Sequence, residues 1–280
     1  MPCMNEYNLL FCIDGSYIDQ LKTTLLSLRK TSNPESKIHV YFMMKDSLSG
    51  LDALISYCQN LKLTCHPIAM ANNEFQGAPV SERYPVTIYY RLLAQEYLPQ
   101  DLDRVLYLDA DILCINEWQS LFEMDMNDQL YAACSHSKLT NLTNVINKVR
   151  LKTYESEGYF NSGVLLMNLP LLRQEVKRTA IYQFINENTY NLLLPDQDVL
   201  NALYGERILS LPDEVYNYDV RKKTTYEFLS KGEWTMDWVL DHTVFLHFCG
   251  KEKPWNESYT GRFSSLYKYF AKQSREIVEE

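Results

Sequence analysis

Apolar and polar positions follow two rhythms along the first seventy residues of this chain. Tyr7 to Ile13 (YNLLFCI) is a continuous strand-like run that stops at Asp14-Gly15-Ser16, a turn signal. Ile18, Leu21, Leu25 and Leu28 then recur at helical spacing. Ile38 to Met43 predicts a second strand, residues 47–59 a second amphipathic helix, and Leu61 to Ile68 a third strand. This β-α-β-α-β rhythm predicts an α/β fold with a doubly wound, parallel sheet and right-handed crossovers. Residues 71–85 are polar, hold two prolines and read as loop, and Thr87 to Leu98 reads as a helix containing Arg91. Leu130 to Ser135 predicts another strand and 136–157 a long irregular segment. Asn161-Ser162-Gly163 reads as a tight polar turn before a buried strand, and Pro170 to Asn188 as one long helix. Pro195-Asp-Gln-Asp198 opens a further helix, where capping accounts for one of Asp196 and Asp198. The last third is less regular, apart from the strand-like Val244 to Cys249.

The centre of the pattern is Arg104 to Leu113 (RVLYLDADIL). Val105 to Leu108 is apolar enough for a strand buried on both faces, and two acids follow it at once. On an extended backbone residues two apart point the same way, so Asp109 and Asp111 face one point just past a core strand. In open α/β sheets that edge is where ligands bind. Two carboxylates held so close need a cation between them, and a divalent metal supplies one; the alternative is a pair of solvated loop acids. His247 is equally two-sided, a hydrogen-bonded core residue or a ligand. Arg91 reads as a surface guanidinium or a site residue, and Arg221-Lys222-Lys223 as a solvated basic loop or a phosphate contact.

Composition narrows the partners. The net charge of −9 argues against nucleic acid or an anionic membrane as the main partner. An acidic enzyme handling a phosphorylated substrate must therefore gather its positive charge locally. The seven cysteines include no Cys-x-x-Cys pair, which fits buried thiols in a reducing cytosol rather than disulfides or a zinc site. No basic, apolar leader and no membrane-span-length run is present, so a cytoplasmic protein is expected, with membrane contact at most peripheral at the inner face.

Six motifs together resemble glycosyltransferase family 8, the retaining enzymes that include bacterial lipopolysaccharide galactosyltransferases and glycogenin. They are Asp14-x-x-Tyr17, Tyr90-Arg91-Leu92, Leu106-Tyr-Leu-Asp-Ala-Asp111, Phe160-Asn-Ser-Gly-Val-Leu-Leu166, Pro195-Asp-Gln-Asp198 and His247-x-Cys-Gly-x-x-Lys-Pro-Trp255. The resemblance runs from about Tyr7 to about Trp255. It implies the GT-A fold, a Rossmann-like nucleotide-binding mixed sheet flanked by helices, with an irregular C-terminal extension. One glycosyltransferase domain of residues 1–280 is expected, with 7–135 the nucleotide-binding half and 136–255 the half that completes the acceptor and metal sites. Residues 256–280 are expected to form a C-terminal helix or tail.

The resemblance further implies that Asp109, Asp111 and His247 bind Mn2+, with Mg2+ as the alternative, and that the metal holds the diphosphate of a UDP-sugar donor. Lys253 and Gly250 match diphosphate contacts. Arg91 matches a residue touching donor sugar and phosphate, and Ala110 lies between the two acids. Asp14, Ser16 and Tyr17 fall where uracil and ribose are held, and Asn161, Ser162 and Gly163 match a donor-sugar segment. Asp196 and Gln197 match the catalytic pair beneath the anomeric carbon. The implied activity is hexose transfer, of glucose or galactose, to a saccharide, glycolipid or glycoprotein acceptor, in lipopolysaccharide or cell-surface polysaccharide synthesis. His136 stands where lipopolysaccharide galactosyltransferases carry an aspartate, so the sugar need not be galactose. The chain finishes SREIVEE rather than in a basic, aromatic tail. A sugar-1-phosphate nucleotidyltransferase, or a non-catalytic UDP-sugar-binding protein, is the alternative. The first lacks support in Asp14-Gly15-Ser16-Tyr17, which is not a Gly-rich basic loop.

Overall fold

The computed structural model describes residues 6–46, 48–135 and 158–277. Strands β1 (Glu6–Cys12), β2 (Lys37–Lys45) and β3 (Leu63–Met70) pair in parallel, linked by helices α1 (Ile18–Thr31) and α2 (Leu51–Asn60). The chain then crosses back to the free side of β1. There β4 (Arg104–Leu108) pairs in parallel, with Leu9 opposite Leu106. A short strand, β5 (Ile112–Cys114), leaves this sheet, and β6 (Tyr131–Ser135) and β7 (Phe160–Asn168) return to it as an antiparallel pair, with β7 antiparallel to β4. With β8 (Ile208–Leu211) parallel to β6, the order is β3-β2-β1-β4-β7-β6-β8. The chain reverses its direction of travel across the sheet between β1 and β4. The C-terminal ends of those two strands therefore flank the crevice where α/β sheets bind ligands.

Alternation along the central strands feeds two cores. Leu9, Phe11, Val40, Phe42, Leu106 and Leu108 pack on one face with α1 and α2. Leu10, Met43, Val105, Tyr107 and Leu165 pack on the other. Fully burying a side chain of this size contributes about 1.5–3 kcal/mol, so both faces anchor β4. A second, three-stranded sheet has the order β5-β10-β9, built from β9 (Tyr218–Asp219) and β10 (Phe245–His247). Its register sets His247 opposite Ile112 on one side and Asp219 on the other.

Three expected elements differ. The expected helix Thr87–Leu98 is a 3-10 helix, Val86–Leu93, followed by one α-turn, Ala94–Tyr97. Thr87 and Tyr89 through Leu93 are all buried, so packing on every side, not an amphipathic stripe, sets its winding. The expected single helix Pro170–Asn188 is two, α3 (Leu169–Glu175) and α4 (Arg178–Asn188), broken where Val176 and Lys177 are extended. Its buried residues explain the break. Leu169, Leu172 and Val176 keep helical spacing, but the next buried residue is Ile181, five positions on, and a continuous helix would turn it away from the core. Asn161-Ser162-Gly163 is no turn but part of β7. Two positions along β6 (Ala133 to Ser135) match five along β7 (Leu165 to Phe160), so these residues are accommodated as a bulge. Bulges re-aim side chains, and this one lies against the site described next.

Helix α5 (Pro195–Tyr204) packs on β7, and the terminal helix α6 (Ser264–Glu276) packs on α1, with Tyr57 Oη 2.8 Å from Ser274 Oγ. Among the described residues no helix is long and apolar enough to cross a membrane, and Cys12, Cys58, Cys65, Cys114, Cys134 and Cys249 are free thiols. Segment 136–157, with His136, lies outside the described residues.

Candidate functional site

The crevice at the ends of β1 and β4 opens into a cavity of about 390 Å³. Three chain segments bring the acids and the histidine there. The Asp109 N–H bonds Gly163 O at 2.9 Å, continuing the β4–β7 ladder one residue past the strand. Asp111 directly precedes β5, and His247 closes β10 opposite β5. One ligand atom from each of Asp109, Asp111 and His247 lies within 4.8 Å of the others. His247 Nε2 is 3.2 Å from Asp111 Oδ1 and 3.8 Å from Asp109 Oδ2. Its Nδ1 is 2.8 Å from Asn217 Oδ1, so Nδ1 donates there and Nε2 is the nitrogen that faces the carboxylates. Gly163 makes the approach possible, because a Cβ there would lie 2.4 Å from His247 Cε1 and 2.8 Å from Asp109 Oδ2.

Each acid has a cation beside it. Arg91, buried in the 3-10 helix, reaches Asp109 Oδ1 at 3.0 Å and Asp196 Oδ2 at 3.4 Å and donates to Ser162 O at 2.8 Å. Its guanidinium also stacks 4.2 Å from the ring of Tyr107, whose hydroxyl donates to Asp109 Oδ1 at 2.6 Å. Lys253 donates to Asp111 Oδ2 and, at 2.8 Å, to Phe248 O. Burial opposes the charge on Asp111, yet His247 and Lys253 hold its carboxyl well below the usual range. Burial likewise opposes the His247 cation, and Cys249 and Asp111 outweigh it, keeping the ring's proton well above the ordinary imidazole range. Asp196 goes the other way. Burial raises its carboxyl despite Arg91 and the Ser162 hydroxyl bond at 2.8 Å.

Asp198 carries the capping role, since its Oδ2 accepts from the N–H groups of Leu193 (2.7 Å) and Leu194 (3.0 Å) just before α5. Asp196, whose carboxylate also accepts from its own N–H, lines the cavity. Gln197 Oε1 takes Asn161 Nδ2 at 3.1 Å, and Asn161 Oδ1 takes Gly163 N at 2.9 Å and Asn217 Nδ2 at 2.8 Å. One hydrogen-bonded chain thus runs from Gln197 through Asn161 and Asn217 to His247. Asp14 and Tyr17 line the wall beyond β1, Tyr17 meeting Trp255 edge to face at 5.8 Å.

Of the residues singled out from sequence, Asp14, Tyr17, Arg91, Asp109, Ala110, Asp111, Asn161, Ser162, Asp196, Gln197, His247, Gly250 and Lys253 line this one cavity. Two do not. Ser16 turns back on Asp14 Oδ1, and Gly163 lies beneath the wall as a spacer. Asn217, which orients His247, carried no sequence signal, and Tyr107, which orients Asp109, was read only as part of the strand and its motif. Arg83, Arg221 and Lys222 also line the cavity, Arg221 remaining half exposed.

The protein-family model described as glycosyl transferase family 8 matches residues 8–258. A lipopolysaccharide 1,2-glucosyltransferase of Escherichia coli is 32% identical over 185 residues, covering 65% of this chain and 53% of that one. The chain therefore matches about half the length of that relative. A lipopolysaccharide 1,2-glucosyltransferase of strain K12 is 26% identical over 261 residues, covering 89% of this chain and 73% of that one. Among solved structures, galactosyltransferase LgtC in complex with donor and acceptor sugar analogs superposes with a TM-score of 0.79 at 24% identity, over 95% of each chain. That likeness shows the fold, the mixed α/β GT-A arrangement.

Proposed function

Because the chain belongs to glycosyl transferase family 8, we propose that it moves glucose or galactose from a UDP-sugar to a saccharide, glycolipid or glycoprotein acceptor, keeping the α configuration. Lipopolysaccharide or another cell-surface polysaccharide is the product class, as the names of the relatives suggest. The observation that carries this reading is the convergence of Asp109, Asp111 and His247 on one point, with Lys253 beside them and Arg91, Asp196 and Gln197 next along the same cavity wall. A set of two carboxylates and one imidazole fits Mn2+, with Mg2+ the less suited alternative, and the orienting bond from Asn217 supports it. A divalent cation bound there would neutralise charge on the departing UDP.

The protein's own groups do the rest. Asp14 and Tyr17 take the nucleoside end, Lys253 and Gly250 the diphosphate. Arg91 fixes Asp109 and Asp196 at once and so couples the phosphate end to the sugar end. Asp196 orients sugar hydroxyls by charge-assisted bonds. Gln197 is a neutral amide, a poor nucleophile, but its carbonyl can steady an oxocarbenium-like charge. Asp196 Oδ2 is taken by Ser162 and Arg91, which disfavours it as a nucleophile too. Front-face displacement follows, the leaving phosphate accepting the acceptor's proton. We place the reaction in the cytoplasm, with membrane contact at most peripheral.

Titration with UDP, with and without Mn2+, followed by a panel of UDP-sugars and proton NMR of the first glycoside, tests the reading. UDP binding indifferent to metal, or a β-linked product from an α-linked donor, refutes it. Tight metal-dependent UDP binding with no turnover of any donor would make the chain a binding protein instead.

A further inference from the structure

The cavity's charges are matched at its floor and unmatched at its mouth. Asp109 and Asp196 share Arg91, and Asp111 has Lys253 and His247. At the mouth the only acid in these ion pairs is Asp219, and it is buried. Arg221 grips it with Nε at 2.9 Å from Oδ1 and Nη2 at 2.7 Å from Oδ2, while Lys222 Nζ stands 3.8 Å away. That fork leaves Arg221 Nη1 over Gly250, where a Cβ would lie 2.6 Å from it. The Arg221 side chain is 50% exposed and lines the cavity. Across the opening Arg83 is exposed, stacks 5.1 Å from the ring of Tyr84, and has no acidic partner among the described residues. Tyr84 itself lines the cavity together with Asp196 and Gln197. In a chain of net charge −9, Arg83, Arg221 and Lys222 gathered on one cavity wall attract anions locally against the general repulsion.

We infer that Arg83, Arg221 and Lys222 form an oxyanion subsite and that the acceptor is a saccharide carrying a phosphoryl or carboxylate group near the hydroxyl that is glycosylated. The inference rests on the glycosyltransferase reading above. A planar Arg fork and a Lys on the same rim suit either oxyanion, and a neutral acceptor would leave Nη1 with only water. Arg221 Nη1 also stands over Gly250, the proposed diphosphate contact, so the donor subsite must be filled before the acceptor is tested.

The test uses the full chain loaded with UDP and Mn2+, so that the donor phosphate subsite is filled. Glucose 6-phosphate, glucuronate and glucose are titrated by ligand-observed NMR. One or both acidic sugars should bind at least about tenfold more tightly than glucose, the value of one hydrogen bond to a charged group. The phosphate and uronate arms then separate the two sources. Arg83→Gln, which strips no buried partner, should weaken the acidic sugar several-fold and leave glucose unchanged, and Lys222→Gln, which takes one cation from buried Asp219, should do the same once its fold is checked. Arg221→Gln leaves Asp219 buried beside fewer cations, so it is read only after a folding check. Equal binding of glucose and both acids overturns the inference. So does a loss of UDP affinity in Arg83→Gln or Lys222→Gln as large as the loss for the acidic sugar, since the cations would then serve the donor. Hydrolysis of UDP-glucose or UDP-galactose by the wild-type chain is measured alongside. Its absence would count against the glycosyltransferase reading, and its presence without an acid preference against this inference alone.

Discussion

Replacing Arg91 with Met removes one cation from two carboxylates while keeping an apolar stem over Tyr107. The side chain of Arg91 is 5% exposed, and its partners Asp109 and Asp196 are 27% and 8% exposed. Breaking a buried ion pair on one side costs about 3–5 kcal/mol, because the charge left behind is uncompensated. Asp109 is partly solvated, so the lower end, about 3 kcal/mol, is the working value. At roughly 2–4 °C per kcal/mol in a chain of this size, the melting temperature should fall by about 6–12 °C. The deficit should depend on pH, and the sign follows from Asp196. Burial raises the carboxyl of Asp196 in the folded state, and Arg91 is what restrains the rise. An acid with a raised folded pKa favours folding below its unfolded pKa and disfavours it as pH climbs through the folded value. Without Arg91 that value climbs further, so the mutant loses more at pH 7.5 than at pH 5. Calorimetric melts of both proteins at the two pH values, free of metal and UDP, measure this. A deficit that is flat with pH, or larger in acid, would show that Asp196 does not feel Arg91 as described.

Three further outcomes are expected. Asn217→Leu removes the acceptor for His247 Nδ1 and should weaken Mn2+ binding in the presence of UDP about 10–100-fold, while an unchanged titration would leave Asn217 without an orienting role. Gly163→Ala puts a methyl into His247 and Asp109, so metal-dependent UDP binding should vanish with far-UV circular dichroism retained; normal binding would mean that β7 yields easily. Asp111→Asn, or excess EDTA on the wild type, should lower donor turnover at least about a hundredfold, and full activity in EDTA would refute a metal role.

The parallel half of the fold was legible because its strands and helices have clean, opposite periods. The site was legible where chemistry sits at a strand end: Asp109 and Asp111 share a direction because the backbone is extended there. Other features were hidden for identifiable reasons. Arg91 lies in TIYYRLL, apolar enough to suggest a helix, and only packing decided that it winds as a 3-10 helix and buries the guanidinium. The bulge at Asn161-Ser162-Gly163 depends on register against β6, which a single strand does not encode. Asn217 reads as an ordinary turn residue, and its role comes from β9 lying beside β10, a pairing between segments about thirty residues apart. Arg221 and Lys222 looked like a solvated run because their partner, Asp219, is buried by the same pairing.

The ion pairs explain why a metal and a diphosphate should bind together rather than separately. Lys253 is held by Asp111 and Phe248 O, and His247 keeps its proton because Asp111 and Cys249 favour the cation. These contacts make the floor neutral, and they engage the groups that the proposed donor would need. Lys253 can turn to a phosphate only when the charge of Asp111 is balanced by something else, and His247 can offer Nε2 only after losing its proton. A divalent cation alone must compete with both, and a diphosphate alone meets carboxylates whose cations are engaged. With both bound, Lys253 would exchange one anion for another at no loss of pairing. Arg91 has no such exchange to make, being tied to Asp109, Asp196 and Ser162 O in a buried setting. It is the fixed post of the site, and Lys253 and His247 are the groups that move their charge.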